Sequence, residues 1–394
     1  MKEENEMKIE NIEVFILNTP LEKGFAYSQG DVVKRSSVIA KITMDNGIVG
    51  WGESLCHGQQ PPEMAASIVE YCYKPLLLGK EAADTNPIWE SLYNRTRPFG
   101  TAGAVVNALS CIDIALYDCL GKQCGQPVYN LLGGKYRSRI KAYATGFHWK
   151  KESKFPESWI EEAQRHLSKG FKGLKLKTGH GVEWDVKNIN AVRKSIPDDV
   201  LLMADFNCAY SFGQAKKLIE GTKEANMYFY EELLVPEDMD GYKTLRSMTS
   251  ACIASGENMF TKIQFAKWMT NGALDIYQPD LCSAGGFTEL KKILSIAEAT
   301  NSRVIPHVWG SGIGLAAALQ FLAVVPKCPN SIYGDEPLLE FDQSEHPFRT
   351  KLIKEQFVLN PDGYVDIPSN PGIGVTVNED CIKEYGYKIS TAKL

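Results

Sequence analysis

Between Gly173 and His307 the chain renews one pattern about every 25 residues: a short apolar run closed by a charged or polar side chain. The closing residues are Lys177, Asp205, Glu231, Glu257, Asp280 and His307, separated by 28, 26, 26, 23 and 27 positions. The runs read GLKLKTG (173–179), LLMADFN (201–207), YFYEE (228–232), CIASGE (252–257), LDIYQPD (274–280) and SRVIPHV (302–308). One buried strand, one covering helix and two loops use about 25 residues, so the pattern describes consecutive βα units. In a (β/α) barrel the carboxyl ends of the strands converge on one mouth, where polar residues serve chemistry while strand interiors fill the core. Asp205 alone reads equally well as a helix N-cap. Three acids, two lysines and a histidine at one phase of successive units read as a site.

Lys175 and Lys177 stand two apart on a predicted strand and share a face, with Leu174 and Leu176 on the other. Repulsion between two ammonium groups eases the loss of one proton, so one of the pair is expected to act as a base near neutral pH. Asp205, Glu231 and Glu257 come from adjacent units, and three carboxylates that close require a cation. Oxygen-only ligation suits Mg2+, with Mn2+ as a substitute. Zinc fits poorly, because no histidine belongs to the trio. Glu232 follows Glu231, and the equal 26-residue steps favour Glu231. Asn207 shares the face of Asp205 and is expected to hydrogen-bond the substrate or the ligands. Asp280 would orient His307 from the neighbouring unit, making it an acid or base opposite the lysines. A cation with bases on two sides suits removal of a proton from carbon beside a carboxylate, through an enediolate.

At 394 residues the chain exceeds one ordinary core, and it divides into an α+β region over 1–135, a barrel over 136–345 and a tail over 346–394 that returns to the first region. A net charge of -5 argues against a nucleic-acid partner. The polar residues 1–10 lack the core of a signal peptide, and no uninterrupted apolar run reaches the roughly 18 residues of a membrane span. Ten cysteines without a CxxC pair point to reduced thiols in the cytoplasm. Alternation over 8–17, 37–43 and 48–53 predicts strands, with Asn46-Gly47 as a hairpin turn. Residues 21–30 and 56–62 read as loops that could cover a pocket, and His57 as a solvated loop histidine. Helices are predicted over 62–77, 87–97 and 101–122, the second with Asn86 as N-cap and the third with Asp113 and Asp118 in structural hydrogen bonds. The first barrel strand is predicted at 141–146, the eighth at 331–336 or slightly beyond, and a short tail strand at 363–367.

The Lys-Leu-Lys triplet, the three acids, the Asp280 and His307 pair, Gly50-Trp-Gly-Glu53 and the tail PGIG (371–374) together resemble the mandelate racemase group of the enolase superfamily over nearly the whole chain. That superfamily uses Lys or His bases with Mg2+. The resemblance implies an α/β fold, a modified (β/α)7β TIM barrel with an α+β cap built from the N-terminal region and the tail. It implies Asp205, Glu231 and Glu257 as Mg2+ ligands, Lys177 as one base with Lys175 tuning it and touching the substrate, and His307 with Asp280 as the other base. It makes Glu340 in LLEFD the group that holds the substrate carboxylate, ahead of Glu336, and it implies a dimeric or octameric homo-oligomer. AYATG (142–146), VPED (235–238), QPDLC (278–282), PHVWGSG (306–312) and EPLLEFD (336–342) resemble group members that open aldaric lactones. Cycloisomerisation of a lactone such as D-galactarolactone is therefore expected ahead of dehydration of an aldarate or aldonate, with epimerisation third. Leu233 and Phe206 depart from the group's pattern beside the acids. A non-catalytic sugar-acid sensor would not need bases on two faces, and a hydrolase with metal-bound water would need paired histidines.

Overall fold

The structure, a computed structural model, describes residues 7–57 and 59–389; residues 1–6 of the polar start and Gly58 of the 56–62 loop lie outside it. The alternating N-terminal stretch forms an antiparallel sheet of β1 (Ile9–Tyr27), β2 (Gly30–Met44) and β3 (Val49–Ser54), and Gly47 takes φ 84 in the turn between the last two. Residues 21–30 are not a loop but the end of β1, a two-residue turn at Ser28 and Gln29, and the start of β2, contrary to expectation. After a register shift between Pro20 and Phe25 the hairpin continues through Phe25↔Val32, Ala26↔Asp31 and Tyr27↔Gly30. Its far end carries few apolar residues because Glu22, Lys23 and Gly24 are exposed and only Leu21, Phe25 and Val32 are buried there.

Three helical stretches cover one face of this sheet: Glu63–Ser67 continuing through Ile68–Tyr73 to Leu77, then Thr85–Thr96, then Ala104–Gln123. The second helix begins two residues early, so Asp84 and not Asn86 stands at its N-cap. The third is long and apolar enough to cross a membrane, yet it is almost wholly buried inside the fold, as a core helix is. Its two acids serve structure. Asp118 accepts hydrogen bonds from Trp51 N (2.9 Å), Lys122 Nζ (2.7 Å) and Ile373 N (2.9 Å), and Asp113 accepts from Thr288 N (2.9 Å).

The remainder is a curled parallel sheet of eight strands with seven intervening helices, a modified (β/α)7β barrel. Its strands are β4 (Arg139–Thr145), β5 (Gly173–Lys177), β6 (Leu201–Asp205), β7 (Met227–Glu231), β8 (Cys252–Ser255), β9 (Ile276–Tyr277), β10 (Arg303–Val304) and β11 (Leu339–Asp342). They pair in the order β10-β9-β8-β7-β6-β5-β4-β11. Among the described residues no ladder joins β10 to β11. Side chains bridge that seam: Arg349 donates to Val308 O, Gly310 O and Asp342 O, and Glu340 accepts from Val308 N. The eighth strand is thus not 331–336, where Ile332 and Tyr333 are 83% and 96% exposed. Their β-branched and aromatic character mimics a strand, but LEFD is the segment covered on both faces.

The tail divides its allegiance. β12 (Tyr364–Asp366) adds antiparallel to β4 of the barrel, which was not expected, whereas β13 (Gly386–Tyr387) pairs with β1 and PGIG bonds to the cap through Val128 N and Gly372 O. Inside the barrel, Tyr143, Met203, Phe229, Ala254, Ile276, Ile305 and Leu338 form a separate apolar cluster, one from each of seven staves. This plug is the floor on which the next inward layer rests.

Candidate active site

Side chains two residues apart on a strand share a face, so the residues two beyond the plug also point inward, one layer nearer the mouth. From Tyr143, Met203, Phe229, Ile305 and Leu338 that step leads to Thr145, Asp205, Glu231, His307 and Glu340, and from Lys175 it leads to Lys177. Glu257 reaches the same region differently. The step from Ala254 lands on Gly256, whose φ of 142 and close approach to the Gln278 backbone leave no space for a Cβ, and the turned chain presents the next residue.

The structure brings the predicted residues together. Ligand oxygens of Asp205, Glu231 and Glu257 lie within 4.8 Å of one another, all three residues buried. Lys175 Nζ sits between Glu231 (2.9 Å to each oxygen) and Glu340 (2.6 Å). Lys177 Nζ donates to Asp205 Oδ2, and to Asn207 Oδ1 at 3.2 Å. Asp280 Oδ2 lies 2.7 Å from His307 Nδ1, and His307 Nε2 lies 3.4 Å from Glu257 Oε2. Asp280 is itself fixed by Cys282 N at 2.7 Å, so the imidazole has a set orientation. Glu340 is held by Thr145 Oγ1 (2.8 Å) and Val308 N (3.1 Å).

A cavity of about 760 Å³ opens above this cluster. Lys177, Asn207, Glu257 and His307 line it, whereas Lys175, Asp205, Glu231, Asp280 and Glu340 stand behind that lining. The hairpin of β1 and β2 forms one wall. Its tip is pinned to the barrel by Ser28 Oγ on Phe206 O (2.9 Å) and Gln29 Nε2 on Asn207 O (2.6 Å).

Six buried carboxyl groups (Asp205, Glu231, Glu232, Glu257, Asp280, Glu340) face three basic groups (Lys175, Lys177, His307). Burial works to lower the affinity of both lysines for their protons, but the acids outweigh it. Glu231 and Glu340 hold Lys175 well above the ordinary lysine value, and Asp205 raises Lys177 despite the repulsion of Lys175. The carboxylates packed against each lysine weigh more on its proton than the other lysine does. Burial likewise opposes a charge on His307, yet Glu257 and the Asp280 hydrogen bond lift it to about 10. Burial pushes Glu231 up to about 7 and Glu232 well above the carboxylate range, while Glu340, buried but beside Lys175 and His307, falls to about 2. Glu257 Oε2 and Glu232 Oε2 are buried without a hydrogen-bond partner. An excess of buried negative charge, unpartnered carboxylate oxygens and an all-oxygen trio fit a hard divalent cation.

Sequence reasoning passed over two residues on this cavity. His57 is not solvated but lines it, its ring 6.2 Å from that of His307. His148 lines it as well, in the stretch after β4, with Phe147 at φ 57 beside it.

Family models match two stretches: "Mandelate racemase / muconate lactonizing enzyme, N-terminal domain" over 11–133 and "Enolase C-terminal domain-like" over 158–381. D-galactarolactone cycloisomerase of Agrobacterium fabrum is 37% identical over 96% of this chain and 99% of its own length. Arabinonate dehydratase of Saccharolobus solfataricus is 30% identical over 89% of this chain and 91% of its own. Among solved structures, the 3,6-anhydro-D-galactonate cycloisomerase from Zobellia galactanivorans superposes with TM-score 0.86 at 36% identity, covering 97% of this chain and all (100%) of its own. A racemase from Streptomyces coelicolor with bound magnesium superposes with TM-score 0.85 at 25% identity, covering 96% of this chain and 100% of its own.

Proposed function

The chain belongs to the mandelate racemase and muconate lactonizing enzyme family of the enolase superfamily, and on that footing we propose that it removes the proton beside the carboxylate of an acid sugar or its lactone. Cycloisomerisation of an aldaric acid lactone is the outcome the relatives favour, since cycloisomerases stand at 37% and 36% identity. Dehydration of an aldonate is the second reading, carried by the dehydratase at 30%. The observation that carries the proposal is one cavity with Lys177 and His307 on its lining and the carboxylate trio at its base.

Asp205, Glu231 and Glu257 would hold Mg2+, which supplies neutralisation of negative charge growing on the substrate carboxylate. Lys177 and His307, on the second and seventh staves, approach the reacting carbon from different sides. One takes the proton, and the other delivers one to the departing oxygen or to the carbon. Asp280 fixes the tautomer that leaves Nε2 of His307 facing the cavity. Lys175 positions Glu231 and Asp205 from behind, and Glu340, which pairs with Lys175, is the acid that would hold the substrate carboxylate. Enclosure by the hairpin excludes water from the carbanion-like species.

The test is deuterium incorporation beside the carboxylate when the protein and Mg2+ meet a panel of sugar acids and lactones in D2O. Exchange that EDTA abolishes, and that Lys177→Ala and His307→Asn each remove, is the expected result. Tight binding of a sugar acid without exchange would assign the protein to the sensors instead.

A further inference from the structure

Two residues on from Ile276 of the apolar plug stands Gln278, which therefore belongs to the same inward layer as Asp205, Glu231 and His307. The ladder of β8 and β9 reaches that far, since Gln278 N donates to Ser255 O at 3.0 Å. The residue is 0% exposed and stands behind the lining of the mouth cavity, with the trio. Neither its amide nitrogen nor its amide oxygen has a hydrogen-bond partner among the described residues. In the same layer Thr145, Asp205, Glu231, His307 and Glu340 are all bonded. Buried polar groups are nearly always partnered, and a Leu or Met would fill this place without the cost of a stranded amide, so the amide calls for a use.

Glu257 lacks the complementary group. Carboxylates that hold a cation are ordinarily hydrogen-bonded by a further group that sets their orientation. Asp205 accepts from Asn207 N at 2.9 Å, and Glu231 from Lys175 Nζ at 2.9 Å. Glu257 has only a 3.5 Å contact from Asn207 Nδ2 at Oε1, and its Oε2 accepts no hydrogen bond, although His307 Nε2 stands 3.4 Å away. Glu257 and Gln278 follow the adjacent strands β8 and β9, and Gly256 places no side chain at that level of β8, where a Cβ would lie 2.7 Å from Gln278 N. A primary amide brings two donors to an acceptor that has none, and its oxygen is of the neutral, hard kind that Mg2+ favours.

On the reading that Asp205, Glu231 and Glu257 hold a divalent cation, we infer that Gln278 is a positioning residue for that cation. When the trio is loaded, its amide donates to Glu257 and keeps the carboxylate in its ligating orientation. Gln278 thus contributes to cation affinity and not to the stability of the fold. The run Gln278-Pro-Asp280 serves two neighbours at once, the ligand Glu257 through its first residue and the imidazole of His307 through its last.

The experiment titrates metal-stripped protein with Mn2+ and follows the free ion by electron paramagnetic resonance. Gln278→Met keeps the length of the side chain without the amide, and Gln278→Leu repeats the test in a second shape. In both, the Kd for Mn2+ is expected to rise about ten- to a hundredfold. The Tm of each metal-stripped variant should equal or exceed that of the wild type, because a stranded amide has been removed. A side chain that merely packs would give the reverse, a lower Tm at unchanged Kd. An affinity within about threefold of the wild type in both variants overturns the inference. So does a metal-stripped Tm lower by more than about 5 °C, or failure of both variants to fold, since either result would show the amide serving the fold itself. A wild type that binds no Mn2+ would instead remove the reading on which the inference rests.

Discussion

Glu53→Ala should cut the fastening between the cap and the barrel. The carboxylate is 1% exposed and accepts from Ser37 Oγ (2.8 Å), Ser311 N (2.8 Å), Ser311 Oγ (2.6 Å) and Gly314 N (2.8 Å). It thereby serves the free amides at the start of the helix Gly312–Val324, where a carboxylate is also favoured by the helix dipole. The two hydroxyls can rotate towards other acceptors, but the two amides cannot. Each orphaned amide costs about 1–3 kcal/mol, giving about 4 kcal/mol for the pair. Unfolding entropy of about 2.1 cal/mol/K per residue converts this to a fall of about 5 °C in Tm for a chain of this length. Glu53→Gln keeps one acceptor oxygen and should lose about half as much. Burial raises the Glu53 pKa above 4.5 despite the donors around it. The neutral acid's contribution is thus fully present below the unfolded value and lost as pH rises through the folded one, so the deficit of the Gln variant should narrow with rising pH. Ser311 follows His307 by four positions, and kcat should fall along with stability. A Tm change below about 1 °C for Glu53→Ala by scanning calorimetry would refute the reasoning.

Asp280→Asn removes the charge that orients His307, and kcat is expected to drop about a hundredfold or more with KM little changed; a loss under threefold would show that Asp280 is not coupled to the reacting ring. Asp113→Asn keeps an acceptor for Thr288 N while removing a carboxyl whose pKa burial raises from 3.8 to about 7. Wild-type stability from that group is present below 3.8 and lost as pH rises to about 7, so the Asn variant should gain on the wild type across that window. A denaturant midpoint difference that does not change between about pH 4.5, low in the window, and about pH 8, above it, would contradict the sign.

Periodicity carried most of the barrel because strand and helix must alternate at a fixed chain cost, and the seven helices fall where the apolar rhythm placed them. It also carried the site, since inward residues two beyond the plug share one level. Glu257 kept the rhythm for a reason the spacing does not show, namely the turn at Gly256. Proximity in sequence shows Lys175 beside Lys177 but not Glu231, Glu340 and Asp205 packed against them. The strand expected at 331–336 failed because propensity is local and burial is not. Residues 21–30 misled in the opposite sense: a strand end standing in solvent looks like a loop. His57 was read as solvated and His148 went unread because a lone histidine has no pattern, and only the fold shows which cavity it meets.

The hairpin wall of the cavity is written in residues 25–32, while the groups proposed to react lie between 177 and 307, and the two are joined at the hairpin tip by side chains bonded to the carbonyls of Phe206 and Asn207. On the proposed function, the first stretch would shape what is admitted and the second what is done to it. Randomising six of the eight codons of the first, with Ser28 and Gln29 kept, gives a library in which appetite is expected to vary while the proton chemistry is inherited intact.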